Sequence, residues 1–216
     1  MNILCTHNDG GVGKTSLAIH VIGALQTTVS KILGIDCDDQ ADLFQFFVRR
    51  EPSKNKELVS QQSIDVVFNK NRESIKRVAR LDQYEHIVVD MDSPLKNTVQ
   101  IIVDSPLDKV LIPVNRSQKH KALRNLHRTL EVIAQLDSKA RVSLETIVVP
   151  LGVEPQSIED TLSKTNRKPG RLQIGEPMPN LEDLMQVSIY EDCRYIWEYE
   201  NQKSLQSYFC RLIGLE

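Results

Sequence analysis

The sequence predicts an α/β fold, a mostly parallel twisted sheet with helices on both faces, on three observations. Short runs rich in Val, Ile and Leu recur along the chain and end in acidic, proline or turn residues. Segments of helical periodicity separate them, the rhythm of parallel strands joined by crossovers. Between the first run and the first helical segment lies Gly10-Gly11-Val12-Gly13-Lys14-Thr15-Ser16, a glycine-rich loop of phosphate-binding type.

In chain order, strands are expected over Asn2–Cys5, Lys31–Ile35, His86–Val89, Val110–Val114 and Glu145–Val149, whose continuous branched apolar character suits strands buried on both faces. Helices are expected over Thr15–Leu25, Asp65–Arg77, Lys119–Leu136, Ser157–Lys164 and Asn201–Ile213. The polar stretch Arg49–Lys56 reads as a surface loop. Pro169, Gly170, Gly175, Pro177 and Pro179 make Lys164–Asn180 a loop or short strand. Trp197, Tyr190, Tyr195 and Tyr199 read as a packed C-terminal core.

The glycine-rich loop implies nucleotide binding. Its glycines let successive backbone N–H groups converge on phosphate oxygens at the positive end of the following helix, while Lys14 supplies a mobile charge and Thr15 a hydroxyl for Mg²⁺. In an open parallel sheet, ligands bind beyond the carboxyl ends of the strands. Side chains just past each run are therefore candidates. Asp36 and Asp38 follow the second strand on one side of the extended chain, and Asp90 ends the Ile87-Val88-Val89 run.

At 216 residues the chain fits one domain, spanning 1–216 and long enough to bury roughly 70% of its unfolded surface. Its 27 basic and 29 acidic side chains leave a formal charge of −2, which excludes a globally basic field as the basis of nucleic-acid binding. No apolar stretch approaches the ~18 residues of a membrane span, so the expectation is a cytoplasmic protein without membrane insertion. Cys5, Cys37, Cys193 and Cys210 lack metal-ligand spacing and read as reduced structural thiols.

Asp9-Gly10-Gly11-Val12-Gly13-Lys14-Thr15 resembles the deviant Walker A loop of the ParA/MinD family of P-loop NTPases, Lys-Gly-Gly-x-Gly-Lys-Thr, at every position but the first. Asp9 stands where that family has a signature lysine that crosses an ATP-sandwich dimer. Asp36-Cys37-Asp38-Asp39-Gln40 resembles the family's Asp-x-Asp-Pro-Gln segment, with Asp39 in place of proline; Ile87–Asp90 resembles its Walker B strand, and Asp92-Ser93-Pro94 a switch. The resemblance implies catalytic roles for Lys14 and Asp38, with Asp38 orienting the attacking water. It implies a Mg²⁺ site of Thr15, Asp36 and Asp90, and a base pocket flanked by Pro150, Met178 and Pro179. No Asn-Lys-x-Asp guanine reader is present, which favours ATP.

What the resemblance further implies is a slow, partner-stimulated ATPase. It would dimerise with ATP, bind nonspecific DNA at the nucleoid, and respond to a cargo adaptor to distribute a plasmid, a chromosome region or an organelle such as the carboxysome. Two other readings remain open: a nucleotide-gated module with negligible hydrolysis, and a metabolic ligase of the same fold group. Lys119, Lys121 and Arg124 read first as a solvated helix face, then as contacts to a second subunit, and then as a DNA patch; Arg167, Lys168 and Arg171 form a second basic cluster, open between DNA and solvent.

Overall fold

The computed structural model describes residues 1–28, 30–92, 99, 107–138 and 144–215. One sheet runs through it in the order β3-β4-β2-β5-β1-β6-β7-β8, parallel throughout except that β3 pairs antiparallel with β4. The strands are β1 (Asn2–Cys5), β2 (Ile32–Asp36), β3 (Leu58–Gln61), β4 (Ile64–Phe68), β5 (His86–Asp90), β6 (Lys109–Asn115), β7 (Glu145–Leu151) and β8 (Arg171–Ile174). The five expected strands are all present. Strands β3 and β8 are short edges with alternating or largely exposed residues, and they draw their order from pairing rather than from an apolar run.

The helices are α1 (Lys14–Leu25), α2 (Asp42–Val48), α3 (Ile75–Val78), α4 (Lys119–Asp137), α5 (Pro155–Ser163), α6 (Glu182–Gln186) and α7 (Ser204–Ile213). Alternate strand residues divide the core. Ile3, Cys5, Val88 and Leu111 face α1, α2, α6 and α7, whereas Leu4, Val89, Val110 and Ile112 face α3, α4 and α5. Helices thus cover both faces, as the sequence predicts.

The helix expected over Asp65–Arg77 is not formed. Ile64–Phe68 is instead a fully buried strand, and only Ile75–Val78 is helical. Val67, Ile75 and Val78 fall within one helical face by spacing, but β-branched Val66 and Val67 beside Phe68 prefer the pleated, doubly covered position between β2 and β3. The chain then turns through Asn69–Glu73, closed by Asn69: its Nδ2 donates to the Glu73 carbonyl at 2.9 Å and its Oδ1 accepts from the Glu73 N–H at 3.0 Å.

Helix α1 is buried on every side from Leu17 to Leu25, packed between the sheet and α7. Gly23 is required there, because a Cβ would lie 2.5 Å from the Tyr195 ring and 2.8 Å from Trp197. His20, fully buried, donates Nδ1–H to the Ser16 carbonyl at 2.7 Å and accepts the Ile196 N–H on Nε2 at 3.0 Å, which sets its neutral tautomer. Phe209 stacks on it at 5.1 Å and Trp197 meets it edge-on at 5.4 Å. The apolar face of α7, Leu205, Tyr208, Phe209, Leu212 and Ile213, is spent in this core, and no described helix is long and apolar enough to cross a membrane.

Burial lowers the His20 pKa from 6.5 to about 4, against the Ser16 hydrogen bond. The unfolded chain therefore takes up this proton first as pH falls, and the stability His20 contributes above pH 6.5 is lost on the way to pH 4, roughly 3 kcal/mol at the limit. Urea denaturation of wild type and His20→Phe should show the stability difference shrinking from neutral pH to about pH 4. A pH-independent difference would rule out a His20 held neutral by the fold.

Candidate functional site

The glycine-rich loop joins β1, near the sheet centre, to buried α1, so its amides open onto the carboxyl ends of the strands. They meet a cavity of about 510 Å³. Gly10, Gly11, Gly13, Lys14, Thr15 and Ser16 form its floor, and Asp38 its wall beyond β2. Gly13 caps α1 at φ 98°, a left-handed conformation that glycine adopts without strain, and a Cβ there would meet Leu151 at 2.9 Å. Val12 points the other way, into the core under α4.

Lys14 is nearly buried, and its ammonium donates to the Asp9 carbonyl at 2.7 Å, spanning the loop it closes. Burial pulls its pKa down, while Asp90, Asp38 and Asp92 pull it up. A cation kept over a loop of convergent amides suits a polyphosphate.

The acids differ in kind. Asp36 is fully buried, and its two oxygens accept the Asp38 N–H at 2.9 Å and the Phe44 N–H at 2.8 Å; it binds the end of β2 to the first turn of α2. Burial, then Asp90, raises its pKa well above the usual range. Asp38 reaches the cavity, with one oxygen accepting the Gln40 N–H at 3.0 Å. Asp90 is 1% exposed, and both its oxygens lack a hydrogen-bond partner among the described residues. Burial pushes its pKa up to about 7, against the pull of the neighbouring Thr15 hydroxyl and Lys14.

An orphaned carboxylate beside a threonine hydroxyl fits the hydration shell of a cation. No three His, Cys, Asp or Glu side chains converge as a cage among the described residues. Mg²⁺ keeps most of its waters and is held by one or two carboxylates with phosphate oxygens, and the Asp90 carboxylate beside the Thr15 hydroxyl fits that set. The Ser93-Pro94 part of the expected switch lies outside the described residues.

On the base side, Leu151 and Met178 line the cavity and pair as a bridge, with the Met178 N–H on the Pro150 carbonyl and the Gly152 N–H on the Met178 carbonyl, each at 3.0 Å. Pro150 supports this wall through its backbone, and Pro179 is exposed beyond it. Leu181, Met185 and Tyr190 complete the lining, and Glu182 accepts the Asn115 Nδ2 at 3.1 Å and the Ser117 N–H at 3.1 Å.

Sequence reasoning missed Arg72, Asp39, Asn115, Glu182 and Asn125. Asn115, at the carboxyl end of β6, was open to the strand-end rule; the rest come together through the fold.

The two basic clusters separate. Lys119, Lys121 and Arg124 stand in the first turns of α4 beside the phosphate loop. Arg171 pairs in register with Glu145 at the start of β7, and with the exposed Arg167 and Lys168 it occupies the amino ends of the strands.

Asp9 points inward. It is 6% exposed, and both its oxygens accept from Asn125 Nδ2, at 3.0 and 3.1 Å. Lys121 lies 3.9 Å away, and the Asp9 N–H donates to His7 Nδ1 at 3.0 Å.

A family model for the CobQ/CobB/MinD/ParA nucleotide binding domain matches residues 3–191. No curated protein matches the chain in sequence. Among solved structures, apo McdA of Cyanothece superposes with a TM-score of 0.73 at 15% identity, covering 99% of each chain. The cell division ATPase MinD of Pyrococcus furiosus gives 0.70 at 14%, covering 100% of this chain and 99% of that one. A putative plasmid partition protein of Borrelia burgdorferi bound to AMPPNP gives 0.62 at 18%, covering 98% of each. At these identities the likeness speaks to the fold.

Removing the Asp9 carboxylate leaves the half-buried Asn125 amide without its acceptor, a loss of about 0.5–1.5 kcal/mol. Chemical denaturation should place Asp9→Ala lowest, with Asp9→Asn, which keeps one acceptor, between it and wild type. Equal stabilities for all three would show that the contact contributes nothing.

Proposed function

The chain belongs to the CobQ/CobB/MinD/ParA nucleotide-binding family, and on that premise we propose that it is an ATP-dependent positioning ATPase. The observation that carries this is the convergence of the loop amides, Lys14, Thr15 and Asp38 on one cavity, with the unpartnered Asp90 carboxylate behind it.

The amides of Gly10–Lys14 and the positive end of α1 bind the polyphosphate. Lys14, released from the Asp9 carbonyl, follows the phosphate charge. Thr15 and Asp90, with Asp36 behind them, would hold Mg²⁺ through its waters, and the ion would supply charge neutralisation to the bound phosphates. Asp38 orients the attacking water, acting chiefly by placement. Leu151 and Met178 flank the adenine.

Hydrolysis is slow until a cargo adaptor engages an ATP-bound homodimer. Lys119, Lys121 and Arg124, next to the phosphate loop, meet the second subunit, and Arg167, Lys168 and Arg171, at the other end of the sheet, hold nonspecific DNA, which places the protein on the nucleoid. The cargo is a plasmid, a chromosome region or an organelle such as the carboxysome, and Asp9 in the signature-lysine position is the feature that supports the last. The inward, hydrogen-bonded Asp9 also supports a second reading, a nucleotide-gated module with negligible hydrolysis, because position 9 has no cation to lend a partner.

The test is solution mass with ADP and with ATP·Mg²⁺, in wild type and Asp38→Ala, with duplex DNA at two salt concentrations. An ATP-only dimer whose DNA binding weakens with salt is expected, with Lys14→Ala binding no nucleotide and Asp38→Ala binding ATP but turning it over at least a hundredfold more slowly. ATP-dependent dimers without turnover in wild type would select the second reading. A monomer indifferent to nucleotide and DNA would refute both.

A further inference from the structure

The loops after β2, β4 and β5 meet at the mouth of the cavity, and one guanidinium joins them. Arg72, in the turn after β4, donates Nε–H to Asp92 Oδ1 at 2.9 Å and Nη2–H to Asp92 Oδ2 at 2.5 Å, a two-pronged contact. The same Nη2 lies 3.3 Å from Asp39 Oδ1, and Nη1 donates to the Lys70 carbonyl at 3.0 Å. Asp39 and Asp92 both line the cavity, whereas Arg72 does not. Asp39 is exposed, but the guanidinium and Asp92 are 19% and 14% exposed, so the fork is shielded from solvent.

The arginine is presented stiffly. Its backbone is left-handed at φ 53°, unfavourable for a side chain of this size and kept only where surroundings impose it. Those surroundings are the Asn69 turn, whose N–H donates to the Asp36 carbonyl at 2.7 Å and whose carbonyl accepts the Arg72 N–H at 2.9 Å. The turn is thus fastened to the end of β2. The adjacent ends of β2 and β5 crowd Asp36, Asp38, Asp39, Asp90 and Asp92 together, with Lys14 on the nucleotide side and Arg72, after β4, on the outer side.

We propose that Arg72, by bridging Asp39 and Asp92, is a positioning residue that holds the neighbouring Asp38 in place over the nucleotide cavity. This rests on the ATPase reading. The bridge acts on turnover more than on nucleotide binding, since Arg72 touches neither the phosphate loop nor the base wall. It needs arginine, because a lysine ammonium is a single point and cannot hold a two-pronged contact to one carboxylate while reaching another.

The experiment compares wild type, Arg72→Ala, Arg72→Lys, Asp39→Ala and the Arg72→Ala/Asp39→Ala double variant. It reads steady-state ATP hydrolysis, ADP·Mg²⁺ affinity by calorimetry, and hydrogen exchange of the Asp38, Gln40 and Ala41 amides. Those amides bond to Asp36, to the Asp38 carboxylate and to the Asp38 carbonyl. Arg72→Ala is expected to lower kcat about tenfold or more, the scale of a misplaced reacting group, with ADP affinity within about twofold. Arg72→Lys should not restore it, and the double variant should be no slower than Arg72→Ala alone. The three amides should exchange faster in Arg72→Ala.

An unchanged kcat, a loss of ADP affinity matching the loss of kcat/KM, or additive single effects would overturn the proposal. Should the wild type show no turnover, the ATPase reading fails by itself, and exchange then decides: faster exchange in Arg72→Ala upholds the bridge, and unchanged exchange removes it.

Discussion

The fold is organised by one requirement: α1 must be buried along its length while its first turn stays open to an anion. A helix such as Leu17–Leu25, apolar all round but for His20, is stable only when covered on every side. The sheet covers one side; α7 and the Tyr195–Trp197 rings cover the other, close enough that Gly23 can carry no side chain. The loop at its head inherits that rigidity. His20 extends it, because one ring bonds both the Ser16 carbonyl in the phosphate-binding turn and the Ile196 amide in the C-terminal segment. The last fifth of the chain, which contributes part of the cavity lining, therefore also braces the phosphate loop.

Electrostatic crowding follows from the same geometry. Parallel strands end on one side, so acids just past β2 and β5 converge where a polyphosphate would also lie. The structure manages that repulsion in three ways: Asp36 is bonded to backbone amides, Asp92 is gripped by Arg72, and Asp90 is left buried with its pKa raised. Only the third arrangement leaves a group awaiting a partner, and it sits beside Thr15. A hydrated divalent cation would relieve the Asp90 desolvation and shield the incoming phosphates at once.

The central strands, α1 and the phosphate loop were legible because each is specified within a few neighbouring residues: a continuous Val/Ile/Leu run, a glycine-rich turn, an apolar helix. Strand β4 was not, because Val67, Ile75 and Val78 imitate a helical face and only pairing with β2 and β3 decides the matter. The misreading had a cost at the site. Inside a presumed helix nothing marks Arg72 as part of the site, and the turn that aims it at Asp39 and Asp92 exists only because β4 is a strand. Glu182 against Asn115 and Ser117, 67 and 65 residues apart in sequence, was beyond local pattern for the same reason.

Asp9 shows how a single departure from a motif redirects a contact rather than deleting it. A lysine at the head of this loop would keep its charge in water and be free to reach outward. A carboxylate so near Lys121 and Asn125 gains more by turning in, where the Asn125 hydrogen bonds and the nearby ammonium offset the cost of burial at 6% exposure. The phosphate loop is thereby tied to α4 and to the strand before it: Asp9 to Asn125 of α4 through side chains, and Gly11 to Asn115 at the end of β6, whose Nδ2 donates to the Gly11 carbonyl at 2.8 Å. Lys121 and Arg124 ride on the same rigid helix. The exposed Lys121 and Arg124 and the phosphate loop therefore share one support, joined through the Asp9–Asn125 contact.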